Sequence, residues 1–296
     1  LMKQILDGCE QSATRQWIEA RCAFPNSMVD RIVPASNDPL RQQALRDLGI
    51  SDASPLGTER FWEWVIEDWF VDPADAALLA AAGVRVTRDV HVYEDAKLRM
   101  LNGSHSAMAI MGAITGQACT SDCVAQPHVR AFVQRLMERE VVPHLKREDW
   151  AEYRDALFNR FGNPYLRHSV HQIATDSSLK IPQRWPPSVL AQLERGAGIE
   201  HHALAAAAWL RYGLGVNEAG EPYEINDPLA AWLRDVAAPQ RASPRDCVLR
   251  LMSRVDLWGE TLSRHAHWID RVTVWHGHIL ADGMDAALRR LLQEEP

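Results

Sequence analysis

Lys97, Asn102 and His105 could together move a proton without a metal. They lie within Lys97-Leu98-Arg99-Met100-Leu101-Asn102-Gly103-Ser104-His105-Ser106. On a helix capped by Asp95 and advancing about 100° per residue, His105 falls roughly 80° and Asn102 roughly 140° from Lys97, so all three share one broad side. A lysine in a first turn sits at the positive end of the helix dipole, and partial burial also disfavours its charge. Both effects lower its pKa toward the range of a general base. Such a lysine could take the proton of a secondary hydroxyl while a hydride leaves the carbon. An asparagine amide could donate to the oxyanion that develops, and a histidine could orient the same oxygen. The same residues equally fit a packed helix side, where Gly103, Ser104, Ala107, Gly112 and Ala113 let a neighbouring backbone approach.

A second polar segment runs from Asn163 to Arg184. Asn163-Pro164 reads as a helix N-cap and first position. His168, His171, Gln172 and Thr175 follow at i, i+3, i+4 and i+7, a polar stripe on the expected helix. Asp176-Ser177-Ser178 reads as its end, with Lys180 and Arg184 on an extended or tightly turned stretch. Such a loop could hold a polyol or, through the planar fork of Arg184, a carboxylate. A solvated face with a capping turn explains it as well. A third segment places Asp30 and Arg31 in a short strand, where alternation sends them to opposite faces.

The elements that must position these groups change character near residue 90. Before it the pattern is mixed α/β. A helix is expected over 1–22 from Ile5, Leu6, Cys9, Ala13 and Trp17. Strands are expected over 28–34, 62–67 and 84–87, with helices from Asp38-Pro39 and Asp72-Pro73. Beyond it helices dominate, at about 95–118, 127–142, 148–160, 164–175, 187–211, 227–236, 244–252 and 258–292. We therefore expect two parts, residues 1–90 as the remainder of a mixed α/β domain and 91–296 as a helical domain. Trp62, Trp64 and Trp69 are assigned to a core by default. The opening at Leu1 reads as the middle of a helix without a cap, and a longer protein is expected.

The composition narrows the function. The chain has 296 residues, 47% hydrophobic and 24% charged, with a formal net charge of −7. That excludes bulk disorder and argues against a general nucleic-acid binder. Five cysteines, with Cys119 and Cys123 spaced CxxxC, suggest no disulfide framework and fit a reducing cytoplasm. No apolar run approaches a membrane span. No histidine set has metal-ligand spacing; the adjacent His201 and His202 should splay apart on a helix. No glycine-rich phosphate loop occurs.

Three motifs carry a family resemblance: FPNSMVDRIVP at 24–34, KLRMLNGSHS at 97–106 and RFGNPYLRHSVHQIATDSSLKIPQR at 160–184. In order and spacing they resemble the long-chain mannitol dehydrogenase and fructuronate (D-mannonate) reductase family. The resemblance implies a mainly α chain. Its large helical domain would be similar to the C-terminal domain of 6-phosphogluconate dehydrogenase, preceded by the α/β tail of a nucleotide-binding domain. It implies a metal-independent hydride transfer between NAD, or alternatively NADP, and a small sugar acid or polyol. Lys97 would be the general acid/base, Asn102 the oxyanion donor and His105 a contact of the substrate oxygen. Asp30, Arg31, His168, Lys180 and Arg184 would shape the substrate side. The main cofactor loop is expected upstream of Leu1, so these residues alone should be inactive. The wording of HQIATDSSLKIPQR favours a sugar acid of the D-mannonate/D-fructuronate kind; mannitol or another polyol is the alternative, and a non-catalytic ligand-binding piece is the alternative of another class. A monomer or weak homo-oligomer, with no nucleic-acid or membrane partner, is expected.

Overall fold

The computed structural model describes residues 6–8 and 12–294. The chain divides into two compact units, Leu1–Asp95 and Ala96–Pro296.

The first unit holds α1 (Ser12–Arg21), β1 (Ser27–Asp30), α2 (Asp38–Leu48), β2 (Glu63–Glu67), α3 (Pro73–Ala81) and β3 (Arg85–Thr87). Local chemistry sets the helix ends. The Leu40 amide donates to Asn37 Oδ1 at 2.9 Å, and α2 stops where Gly49 takes a φ of 70°. The Ala74 amide donates to Asp72 Oδ1 at 2.9 Å, just ahead of α3. In the sheet, β1 pairs antiparallel with β2, and β2 pairs parallel with β3. Met28 lies opposite Val65, and these two with Val90 make a small core that Tyr93 covers. The first strand ends at Asp30, short of the expected Pro34. Of the helix expected over 1–22, Ile5, Cys9 and the opening Leu1–Ile5 lie outside the described residues. Trp62 and Trp69 are exposed rather than core.

A helical stretch starts with α4 (His91–Ala96), continues as a π-helix over Lys97–Gly103 and then as α5 (Ser104–Ile114). The expected helix start at Asp95 is thus corrected to His91. The second unit continues with α6 (Thr120–Ala125), α7 (Pro127–Arg135), a second π segment (Leu136–Val141), α8 (Trp150–Phe161), α9 (Val170–Ala174), α10 (Ser177–Arg184), α11 (Pro186–Glu194) and α12 (Glu200–Tyr212). It closes with α13 (Ala230–Ala237), α14 (Pro244–Met252), α15 (Val255–Arg264), α16 (Ala266–Asp282) and α17 (Met284–Glu294).

Every residue of α12 from His201 to Tyr212 is buried, as expected of a helix running through a core. Its alanines let α5 and α16 pack directly against it. Trp209, Trp258 and Trp268 form a chain of tilted rings beside it, with centroids 6.2 and 5.7 Å apart. No helix among the described residues is long and apolar enough to cross a membrane.

Candidate active site

Lys97 and Asn102 occupy the π-helix, and His105 lies in the first turn of α5. Lys97 follows six residues of α4 and is therefore not in a first turn; the helix-dipole argument for it lapses. The π geometry changes their relation in a different way. In an α-helix five residues advance by about 140° beyond a full turn. Hydrogen bonds from i to i+5 widen the turn, so Asn102 comes closer to the side of Lys97. Lys97 and Asn102 are half-buried, and His105 is buried.

His105 stacks on Phe161 at 5.1 Å and meets the edge of His168 at 5.1 Å. Its Nε2 is buried without a hydrogen-bond partner, as is His168 Nδ1. Burial holds His105 well below its ordinary pKa, and the nearby positive charges of His168, Arg184, Arg160 and Lys180 add to this. His105 is therefore neutral at neutral pH, with a ring nitrogen ready for a ligand. Burial also lowers His168, helped by Lys180.

Two expectations about the second segment are overturned. The residues after Asn163 form a turn in which Asn163 Oδ1 accepts from the Tyr165 amide at 3.0 Å, and the helix starts only at Val170. His168 thus leaves the expected stripe; it reaches His105 because the preceding backbone turns, with Arg167 at a φ of 41°. The stretch from Ser177 to Arg184 is a helix, not a loop. Asp227, fifty residues away, caps it. Asp227 accepts from Ser177 Oγ at 2.9 Å, from the Ser178 amide at 2.8 Å and from Ser178 Oγ at 2.6 Å. No local signal marks Asp227 for this task.

On α10, Lys180 Nζ donates to the carbonyls of Ile173, at 3.1 Å, and Thr175, closing the end of α9. Its pKa is lowered by burial and by Arg184, while Asp176 and Asp227 oppose this. One turn on, Arg184 Nη1 donates to the Asn102 carbonyl at 3.1 Å and to Ser106 Oγ at 2.5 Å. Burial pushes Arg184 down to about 10. The second unit thereby brings His168, Lys180 and Arg184 near His105, with Arg184 also on the Asn102 carbonyl.

Asp30 and Arg31 belong to the other unit. Asp30 is buried at the end of β1, whereas Arg31 falls outside the strand and turns to its own unit. Arg31 donates to Thr58 Oγ1 at 2.9 Å and to the Glu59 carbonyl at 2.9 Å. That binds a loop, and it gives Arg31 a structural task.

A second polar centre departs from expectation. His201 and His202 do not splay: their Nδ1 atoms meet Glu140 Oε1 and Oε2 at 2.8 and 2.6 Å. Their amides meet the same two oxygens at 2.7 and 3.0 Å. The carboxylate caps the start of α12, where amides lack helical partners. Among the described residues no group of three or more His, Cys, Asp or Glu could hold a metal ion.

Residues 89–279 match the mannitol dehydrogenase C-terminal domain model, and residues 1–76 match the mannitol dehydrogenase Rossmann domain model. The chain is 40% identical to mannitol 2-dehydrogenase of Pyrenophora tritici-repentis over 75% of its own length and 40% of that protein. It is 36% identical to D-mannonate oxidoreductase of Escherichia coli, covering 90% of the chain and 55% of that protein. A solved structure of Pseudomonas fluorescens mannitol 2-dehydrogenase, a ternary complex with NAD and D-mannitol, superposes with a TM-score of 0.85 at 30% identity. That match covers 97% of this chain and 57% of the other. The chain spans about half the length of the relatives it matches.

Proposed function

The chain belongs to the mannitol dehydrogenase family, and we propose that the protein carrying it oxidises a polyol to a ketose, reversibly, with NAD as hydride acceptor. The observation that carries this reading is the buried, neutral His105, its Nε2 unpartnered, on the same helical stretch as Lys97 and Asn102. A hydroxyl-bearing substrate supplies what that nitrogen lacks. Lys97 takes the hydroxyl proton during oxidation and returns it to the ketone in reverse. The Asn102 amide donates to the developing oxyanion, and His105 holds that oxygen or its neighbour. His168, from the turn before α9, meets the His105 ring, and Lys180 of α10 lies near enough to act on its charge.

Of the glycines in the first unit, Gly49 and Gly83 follow helices α2 and α3, with φ values of 70° and 88°. Neither lies in a strand-to-helix turn of the kind that cradles a pyrophosphate. The match of residues 1–76 to the mannitol dehydrogenase Rossmann domain supports NAD as the cofactor, and the polar cluster of the second unit fits substrate hydroxyls. The expected likeness of that unit to the C-terminal domain of 6-phosphogluconate dehydrogenase is part of the same proposal, open to direct superposition.

The sequence wording favoured a sugar acid. Mannitol 2-dehydrogenases recur among the relatives, and the superposed structure holds D-mannitol, so the polyol is the better-supported substrate. One observation favours the acid: Lys180, Arg184 and Arg160 all place positive charge around His105. NADH formation by the whole protein separates the two. Faster turnover per KM on D-mannitol than on D-mannonate is expected; preference for D-mannonate would reverse the assignment.

A further inference from the structure

The end of α10 touches the π-helix in a way that substrate binding does not require. Arg184 Nη1 reaches the Asn102 carbonyl at 3.1 Å and Ser106 Oγ at 2.5 Å, spanning the junction between the π segment and α5. The adjoining Trp185, fully buried, donates from Nε1 to the Gly103 carbonyl at 3.0 Å. Two consecutive side chains therefore hold two consecutive carbonyls. A carbonyl has two lone pairs, so it can accept from a side chain beside its helical partner. Gly103 lies in this contact: a Cβ there would touch the Arg184 carbonyl at 3.4 Å and Trp185 Cδ1 at 3.7 Å, ordinary van der Waals distances.

A π turn is intrinsically less favourable than an α turn and persists where surrounding contacts fix it. The residue it carries at this junction is Asn102, whose direction depends on which turn the backbone adopts. We propose that Arg184 and Trp185 are positioning residues that lock the π turn and so aim the Asn102 amide, rather than contacts of the substrate. The idea rests on the proposed polyol oxidation for its catalytic consequence, but the clamp itself does not.

The test has two readouts in the whole protein. Hydrogen exchange of the amides of residues 97–106, compared with those of α16, reads the clamp directly. In Arg184→Met and in Trp185→Phe these amides exchange faster while α16 does not change; unaltered exchange in both variants would overturn the clamp. Steady-state kinetics read its effect. Arg184→Met lowers kcat by about 10- to 100-fold with little change in KM, as misaimed groups do. In the Asn102→Ala background the same substitution costs almost nothing further, because both act through one amide. Multiplying effects, or a raised KM at unchanged kcat, would instead make Arg184 a substrate contact. If Arg184→Met does not fold, Trp185→Phe, which removes one donor and keeps the ring, answers the same questions. A wild type inert toward polyols with NAD would count against the proposed function alone, and the exchange result would still decide the clamp.

Discussion

At the scale of single residues, burial has more to say than spacing. Lys97, Asn102 and His105 stand out in the sequence because their types suit proton transfer. Their surroundings could not be read there, since Phe161, His168 and Lys180 come from distant segments. His105 illustrates the consequence. Its ordinary midpoint is 6.5, and burial, with Arg184, Arg160 and Lys180 nearby, depresses it. We expect its ring signals in NMR to stay those of a neutral imidazole as pH is lowered through 6.5; protonation at that midpoint would contradict the buried site. Arg31, a motif arginine, ties its guanidinium to Thr58 and the Glu59 carbonyl.

At the scale of elements, the sequence was readable at α2 and α3, whose caps are local. Asn37, Asp72 and Gly49 mark α2 and α3 closely because the capping groups lie within a few residues. It failed where the deciding group is remote. The start of α10 reads as a loop because Ser177 and Ser178 look like turn residues, and the interior Pro182 reinforces that impression. Asp227, supplied by a distant segment, turns it into a helix. The π segment was invisible for another reason: hydrophobic periodicity near 3.6 does not register one widened turn.

Close helix packing yields a stability prediction. A Cβ at Gly112 would lie 2.4 Å from Cys123 Sγ and 3.1 Å from Val170 Cγ1, joining α5 to α6 and α9. Gly112→Ala should therefore destabilise by roughly 1–3 kcal/mol, the usual cost of overpacking, measured by denaturant unfolding. An unchanged midpoint would mean the helices are free to separate.

The cap of α12 makes a pH prediction. Burial opposes ionisation of Glu140, but the hydrogen bonds from His201 and His202 outweigh it and bring it from 4.5 to about 2. A carboxylate whose pKa is lowered by folding stabilises above its unfolded value, and that contribution is lost as pH falls toward the folded one. Stability should thus drop between about pH 5 and pH 2 more steeply in the wild type than in Glu140→Gln. Burial lowers His276 to about 4, which adds a second acid-sensitive contribution common to both proteins. The difference between the two curves isolates Glu140; parallel curves would remove it from the account. Glu140→Ala, which strands buried donors, should cost roughly 3–5 kcal/mol.

At the scale of the whole molecule, the motifs at 24–34, 97–106 and 160–184 pointed to the family that the domain models match. Substrate class was less legible, because one stretch of wording outweighed the wider likeness to mannitol 2-dehydrogenases. The residues proposed for proton transfer all lie in the second unit.

The proposed proton transfer passes through the amine of Lys97, so its removal is the most direct trial. In the whole protein Lys97→Ala should lower kcat for D-mannitol oxidation by about 10²–10⁴-fold near neutral pH, the usual worth of a general base, with its unfolding transition little changed. Turnover close to wild type in that variant would contradict the mechanism.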